Sequence, residues 1–131
     1  MKEEAKRWLT FAQEDLKVAE LVLEESIYNQ VCFHSQQAGE KALKALIEEK
    51  VKVPKEHRLP KLFKICQELG YNLEKFQENL EFLDKFYTFT RYPFIVGMLP
   101  EGYPTKEDAL KALGFAKEIY SFVVVSLTRD K

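Results

Sequence analysis

Apolar residues recur along most of the chain at steps of three and four, the spacing of a helix face rather than of a strand. From Glu3 to about Glu25 the residues Ala5, Leu9, Ala12, Leu16, Ala19 and Leu23 form one stripe, widened by Trp8, Phe11 and Val22. This predicts a core-facing amphipathic helix. Asp15 is its anomaly, since it stands beside the apolar stripe while Glu14, Lys17 and Glu20 lie elsewhere. A partly buried acid needs a partner, so Asp15 reads first as a carboxylate pairing with a neighbouring chain's cation, and only second as a functional acid.

A second helix is predicted from about Asn29 to Lys50. Its seam, Val31, Ser35, Ala38, Ala42 and Ala45 with Gly39 alongside, consists of small residues that let another helix approach closely. Another face carries His34, Gln37, Lys41, Lys44 and Glu48 at helical spacing. Two readings stand for it: a solvated face, or a polar strip at a partner surface or nucleotide-binding cleft. In the second, Lys41 and Lys44 meet phosphates while His34 and Gln37 hydrogen-bond bases or side chains.

The stretch Val51 to Pro60 holds two prolines and several charges, and reads as a surface loop. A short helix follows from Pro60 or Lys61 to Glu68, with Leu62, Ile65 and Leu69 as its apolar face and Gly70 after its end. From Leu73 to Thr90 the apolar residues Leu73, Phe76, Leu80, Phe82, Leu83, Phe86, Tyr87 and Phe89 cover much of the circumference, which predicts the central helix of a bundle. Pro93 stops it at Arg91-Tyr92. The Gly- and Pro-rich stretch from Tyr92 to Pro104 is too apolar for a solvated linker and is expected to pack on the protein or on a second protomer. A last helix opens at Thr105, with Asp108 placed for a capping box, and runs to near Arg129. The fold class is all-α, an up-and-down bundle of about five helices in one domain spanning residues 1–131.

Composition narrows the chemistry. The chain has 131 residues, with 20 Lys plus Arg against 21 Asp plus Glu, and its net charge of −1 provides no global field to hold a polyanion. Basic residues that bear on function read as concentrated at Lys41, Lys44 and Arg91. No apolar run is long enough to span a membrane, the opening residues lack a signal-peptide core, and two cysteines make no disulfide framework, so a cytoplasmic setting is expected. Cys32 and His34 point roughly 160° to 200° apart on a helix and do not share a metal. Neither cysteine has a His and carboxylate arranged around it, and no phosphate-binding Gly loop is present, so no cofactor is expected.

One further constellation stands at the end of the fourth predicted helix: Asp84, Tyr87, Thr88 and Arg91 within two turns. Arg91 either interacts with helix-end carbonyls and pairs with an acid, or supplies one of only four guanidinium groups in a Lys-rich chain to a site.

Taken together, these residues resemble the HEPN family, the higher-eukaryote and prokaryote nucleotide-binding domains. The resemblance rests on Trp8, Ala12, Asp15-Leu16 and Ala19; on the run from Cys32 to Leu46, above all Gln36-Gln37-Ala38-Gly39-Glu40-Lys41-Ala42-Leu43-Lys44-Ala45; on His57-Arg58-Leu59 with Leu62; and on Thr90-Arg91-Tyr92-Pro93. It implies a helical bundle that forms a homodimer, with functional residues in the cleft between protomers. It also implies a minimal nucleotidyltransferase as partner in a two-component, toxin-antitoxin-like system. Many members look like metal-independent ribonucleases with an Arg followed four to six residues later by a His. Arg91 matches that Arg, but Val96, Gly97 and Met98 follow it where the His belongs. This chain is similar instead to an Arg-Tyr-Pro-Asp subgroup, with Phe94 in place of the Asp. The expected function is therefore non-catalytic: binding of a nucleotidyltransferase or a nucleotide through Asp15, His34, Gln37, Lys41, Lys44, Arg91 and Tyr92. The alternative is an endoribonuclease with RNA as its ligand, using Arg91 with His34 or His57 as base.

Overall fold

The structure, a computed structural model, describes residues 1–87, 99 and 102–129. Among them the elements in chain order are α1 (Glu3–Glu24), α2 (Tyr28–Glu48), α3 (Leu59–Glu68), a 3-10 turn (Glu74–Phe76), α4 (Gln77–Asp84) and α5 (Lys106–Thr128). The class is all-α, and α1, α2, α3 and α5 begin and end within two residues of their sequence-based bounds.

Each of these helices follows from local chemistry. The α1 stripe Ala5, Leu9, Ala12, Leu16 and Ala19 is buried, although Phe11 turns outward and is 47% exposed instead of widening it. Pro60 occupies the first turn of α3, where its missing amide proton costs nothing. Gly70 follows that helix at φ +98°, a conformation glycine adopts without strain. At the start of α5 the Thr105 hydroxyl accepts from the Asp108 amide while the Asp108 carboxylate accepts from the Thr105 amide, closing the expected capping box.

Two expectations are corrected. The predicted helix from Leu73 to Thr90 is shorter and divided: a 3-10 turn leads into α4, which ends at Asp84, and Phe86 is fully buried beyond its last turn. Nor is it central. That place belongs to α2, which packs against α1, α3, α4 and α5 and buries Val31, Cys32, Ser35, Ala38, Ala42, Leu43, Ala45, Leu46 and Ile47. A helix surrounded on most sides must be apolar or internally paired around its girth. The small-residue seam of α2 provides the first, and its charged residues, described below, the second.

Of the stretch expected to pack against the protein, Leu99 is buried and forms a short backbone bridge with Gly102, and the Tyr103 hydroxyl donates to Asn29 Oδ1 at 2.8 Å. The rest of that expectation lies outside the described residues. Among the described residues, no helix is long and apolar enough to cross a membrane.

Candidate functional site: a paired polar strip on α2

The least buried side of α2 carries the strip singled out from sequence, and the structure shows what holds it. Asp15 reaches across from α1: its Oδ1 lies 2.8 Å from His34 Nδ1 and its Oδ2 accepts from Lys41 Nζ at 2.6 Å. The partners of Asp15 are thus on α2 of the same chain. Burial pushes the Asp15 carboxyl up, but the His34 and Lys41 hydrogen bonds and charges outweigh it and hold the group below its ordinary value.

On the other side of the strip stands Glu40, buried and accepting from Lys44 Nζ at 2.8 Å through Oε2. The same oxygen lies 2.9 Å from His57 Nδ1, on the loop between α2 and α3. Gln36 Nε2 donates to Glu40 Oε1 at 3.4 Å, and Gln37 Nε2 donates to Gln36 Oε1 at 2.7 Å. The Lys44 ammonium also lies 5.2 Å from the centre of the Trp8 ring, whose Nε1 donates to Glu48 Oε1. The solvated-face reading of this strip is therefore overturned at Lys44, which is only 5% exposed. It survives in part at His34, Gln37 and Lys41, which are half-buried.

The result is a paired polar strip along α2, tied on one side to α1 through Trp8 and Asp15 and on the other to the loop that carries His57. Two carboxylates neutralise two lysines, and each also holds one imidazole by Nδ1, which fixes the ring orientation. A small hollow of about 210 Å³, lined by Glu4, Arg7, Trp8, Phe11 and Glu48, opens beside it. A broader groove of about 1330 Å³ lies elsewhere, between the Gly70–Phe76 segment and the C-terminal half of α5. None of Asp15, His34, Gln37, Lys41 and Lys44 lines it.

Of the constellation at the end of α4, Asp84 and Tyr87 are described, while Thr88 and Arg91 lie outside the described residues. Asp84 is buried and accepts from the Arg58 guanidinium through both carboxylate oxygens, and its Oδ1 also accepts from the Leu59 backbone N–H at 3.0 Å. Among the described residues, Arg58 is the cation paired with Asp84. The Asp84 hydrogen bond and charge raise the Arg58 pKa further above its already high ordinary value. Since Leu59 begins α3, Asp84 also caps that helix from a distant part of the chain. Arg58 lies over the Tyr87 ring at 5.5 Å, and His57 stacks on the same ring with centroids 6.1 Å apart. Arg91 and Tyr92 lie outside the described residues.

Glu40 and Gln36 stood in the run that carries the resemblance but not among the candidate site residues, although Gln36, Glu40 and Lys44 at i, i+4 spacing carried a legible signal. The Arg58 to Asp84 contact had none, because it joins residues 26 positions apart. Both cysteines are buried, and burial pushes each thiol up to about 12. Among the described residues, no three His, Cys, Asp or Glu side chains converge as a metal site.

The chain as a whole is similar to known proteins. The model of the HEPN domain matches residues 5–127. Among solved structures, TT1696 from Thermus thermophilus is 32% identical with a TM-score of 0.78, covering 93% of this chain and 97% of that one. ST0689, described as an archaeal HEPN homologue, is 28% identical with a TM-score of 0.77, covering 97% and 100%. An HEPN domain protein of Thermotoga maritima, TM0613, is 27% identical with a TM-score of 0.75, covering 94% and 98%. No curated protein matched. With the family model spanning nearly the whole helical bundle, the chain belongs to the HEPN domain family.

Proposed function

We propose that the protein is a non-catalytic HEPN module that forms a homodimer and binds a nucleotide or a nucleotidyltransferase partner through the polar strip on α2. The observation that carries this reading is the state of the strip: His34 and Lys41, both half-buried, are held in place by Asp15 before any ligand arrives. Donors fixed in advance lose less side-chain entropy on binding than free surface lysines would. Exposed Phe11 and Val18 stand on the same flank of α1 as Asp15 and supply an apolar rim suited to a second protein surface. Arg91 and Tyr92 complete the proposed ligand set, and a two-component, toxin-antitoxin-like pairing is the setting this reading implies.

Light scattering is expected to give twice the mass of one chain. Calorimetry with ATP and GTP at millimolar concentration is expected to give binding heat that Lys41→Ala reduces at least several-fold. No heat with either nucleotide and no complex with a minimal nucleotidyltransferase would remove the binding role. The second reading, a metal-independent endoribonuclease, has one observation in its favour. His34 and His57 each present Nδ1 to a carboxylate, the orientation of a general base acting through Nε2. Incubation of RNA with wild type and Arg91→Ala decides between the readings: Arg91-dependent cleavage would establish the enzyme and end the non-catalytic one.

A further inference from the structure

The near-zero net charge hides a strong local asymmetry beyond the α2 strip. From Lys50 to Lys64 the chain carries Lys50, Lys52, Lys55, Arg58, Lys61 and Lys64 against Glu56 alone, a net +5 in a chain whose total is −1. From residue 52 onward every third position is cationic. Lys52 and Lys55 are exposed on the loop leading into α3, and Lys61 and Lys64 share the exposed face of α3 one turn apart. Two nearby acids are largely committed elsewhere: among the described residues, Glu56 is held by the backbone amides of His57 and Arg58 and pairs with Lys61 at 4.0 Å, while Asp84 is bound to Arg58 and Leu59. Next to this row stands the stacked pair of His57 and Tyr87, with the His57 side chain 56% exposed.

A row of lysines beside an exposed imidazole that is stacked on a tyrosine is the chemistry that holds single-stranded nucleic acid: point charges follow the phosphates, and the imidazole face receives a base whatever its identity. The geometry points to the loop before α3 and the outer face of α3 as a binding track for single-stranded nucleic acid, which shares His57 with the edge of the α2 strip but uses none of Asp15, His34, Gln37, Lys41 or Lys44. An acidic protein surface would use the lysines but not the imidazole face, which is why nucleic acid is the favoured partner. The track does no chemistry, and it stands whether or not the α2 strip binds nucleotides.

Fluorescence anisotropy with a labelled oligouridine and, in parallel, a labelled oligothymidine tests it on the full chain. Contact of the four lysines with about four phosphates predicts a log K against log salt slope of about −3, so binding weakens roughly 50-fold between about 50 and 200 mM salt. The pair Lys61→Glu and Lys64→Glu is expected to weaken binding at least tenfold, and the milder Lys52→Gln with Lys55→Gln reports the loop if α3 is perturbed. The charge-matched pair Lys6→Glu and Lys17→Glu, on exposed positions of α1, is expected to leave it unchanged. Equal binding of the two oligomers reports phosphate contact, and tighter binding of the RNA adds a ribose contact; both support the track. Absence of binding at low salt, equal loss with the α1 variants, or equal competition by polyglutamate at matched charge would overturn it. None of these results bears on the nucleotide calorimetry, so the two readings fail separately.

Discussion

Asp15 links stability to pH through its two partners on α2. Its pKa is lower folded than unfolded, so its contribution is fully present above the ordinary carboxylate range and is lost as pH falls through the folded value. Asp15→Asn is expected to cost about 1–3 kcal/mol at pH 7, since it removes one partner of a charge-assisted pair while Lys41 can still turn to water. The same variant should show a shallower loss of stability below about pH 4, measured by urea melts across the acid range; a parallel profile would mean that Asp15 is no longer paired in solution. Ser35 presents the opposite case. Its hydroxyl is fully buried without a hydrogen-bond partner among the described residues. Ser35→Ala is therefore expected to be neutral or to stabilise by up to about 1 kcal/mol, a comparison a pair of thermal melts makes directly.

At the scale of elements, caps and terminations decide which parts of the fold were legible in the sequence. The α5 start was written in Thr105 and Asp108 three residues apart, a purely local signal, and Thr105→Ala is expected to cost about 1 kcal/mol by thermal or urea unfolding. The end of α4 was not legible. Apolar residues continue through Phe86 and Tyr87, and a pattern that is apolar on most sides marks burial without marking where helical hydrogen bonding stops. The remote capping of α3 by Asp84 depends on a fold already assembled, so no spacing rule could find it. Glycines separate in the same way. A Cβ on Gly39 would meet Leu83 Cδ1 at 3.4 Å, whereas one on Gly114, in the middle of α5, would meet nothing within 4 Å among the described residues. Gly114→Ala should thus raise stability by about 0.5–1 kcal/mol through helix propensity alone; a loss of stability in the melt would show that the position is packed in solution.

For the molecule as a whole, the polar strip was half legible because its residues sit on two periodic helices, while its far edge comes from a loop whose partner on α2, Glu40, looked like one acid among many. That edge and α3 are tied to the rest through Glu40 and Asp84, which raises the question of whether the bundle opens as one unit. The two thiols answer it. Cys32 belongs to α2 and Cys66 to α3, both lie in the same hydrophobic core, and with each thiol pushed up to about 12 neither is a nucleophile near pH 8. Reaction with an aromatic disulfide reagent then requires opening of the structure, and its rate at each cysteine measures the opening of the helix that carries it. Because α3 packs directly on α2 and Cys66 Sγ lies 3.7 Å from the Leu43 carbonyl oxygen, both thiols are expected to react at one slow rate with the urea dependence of global unfolding. Faster labelling of Cys66 alone would show α3 and α4 parting from α2 before the rest, and in that case Asp84→Asn, which weakens the clamp on Arg58 and Leu59, should accelerate Cys66 and leave Cys32 unchanged.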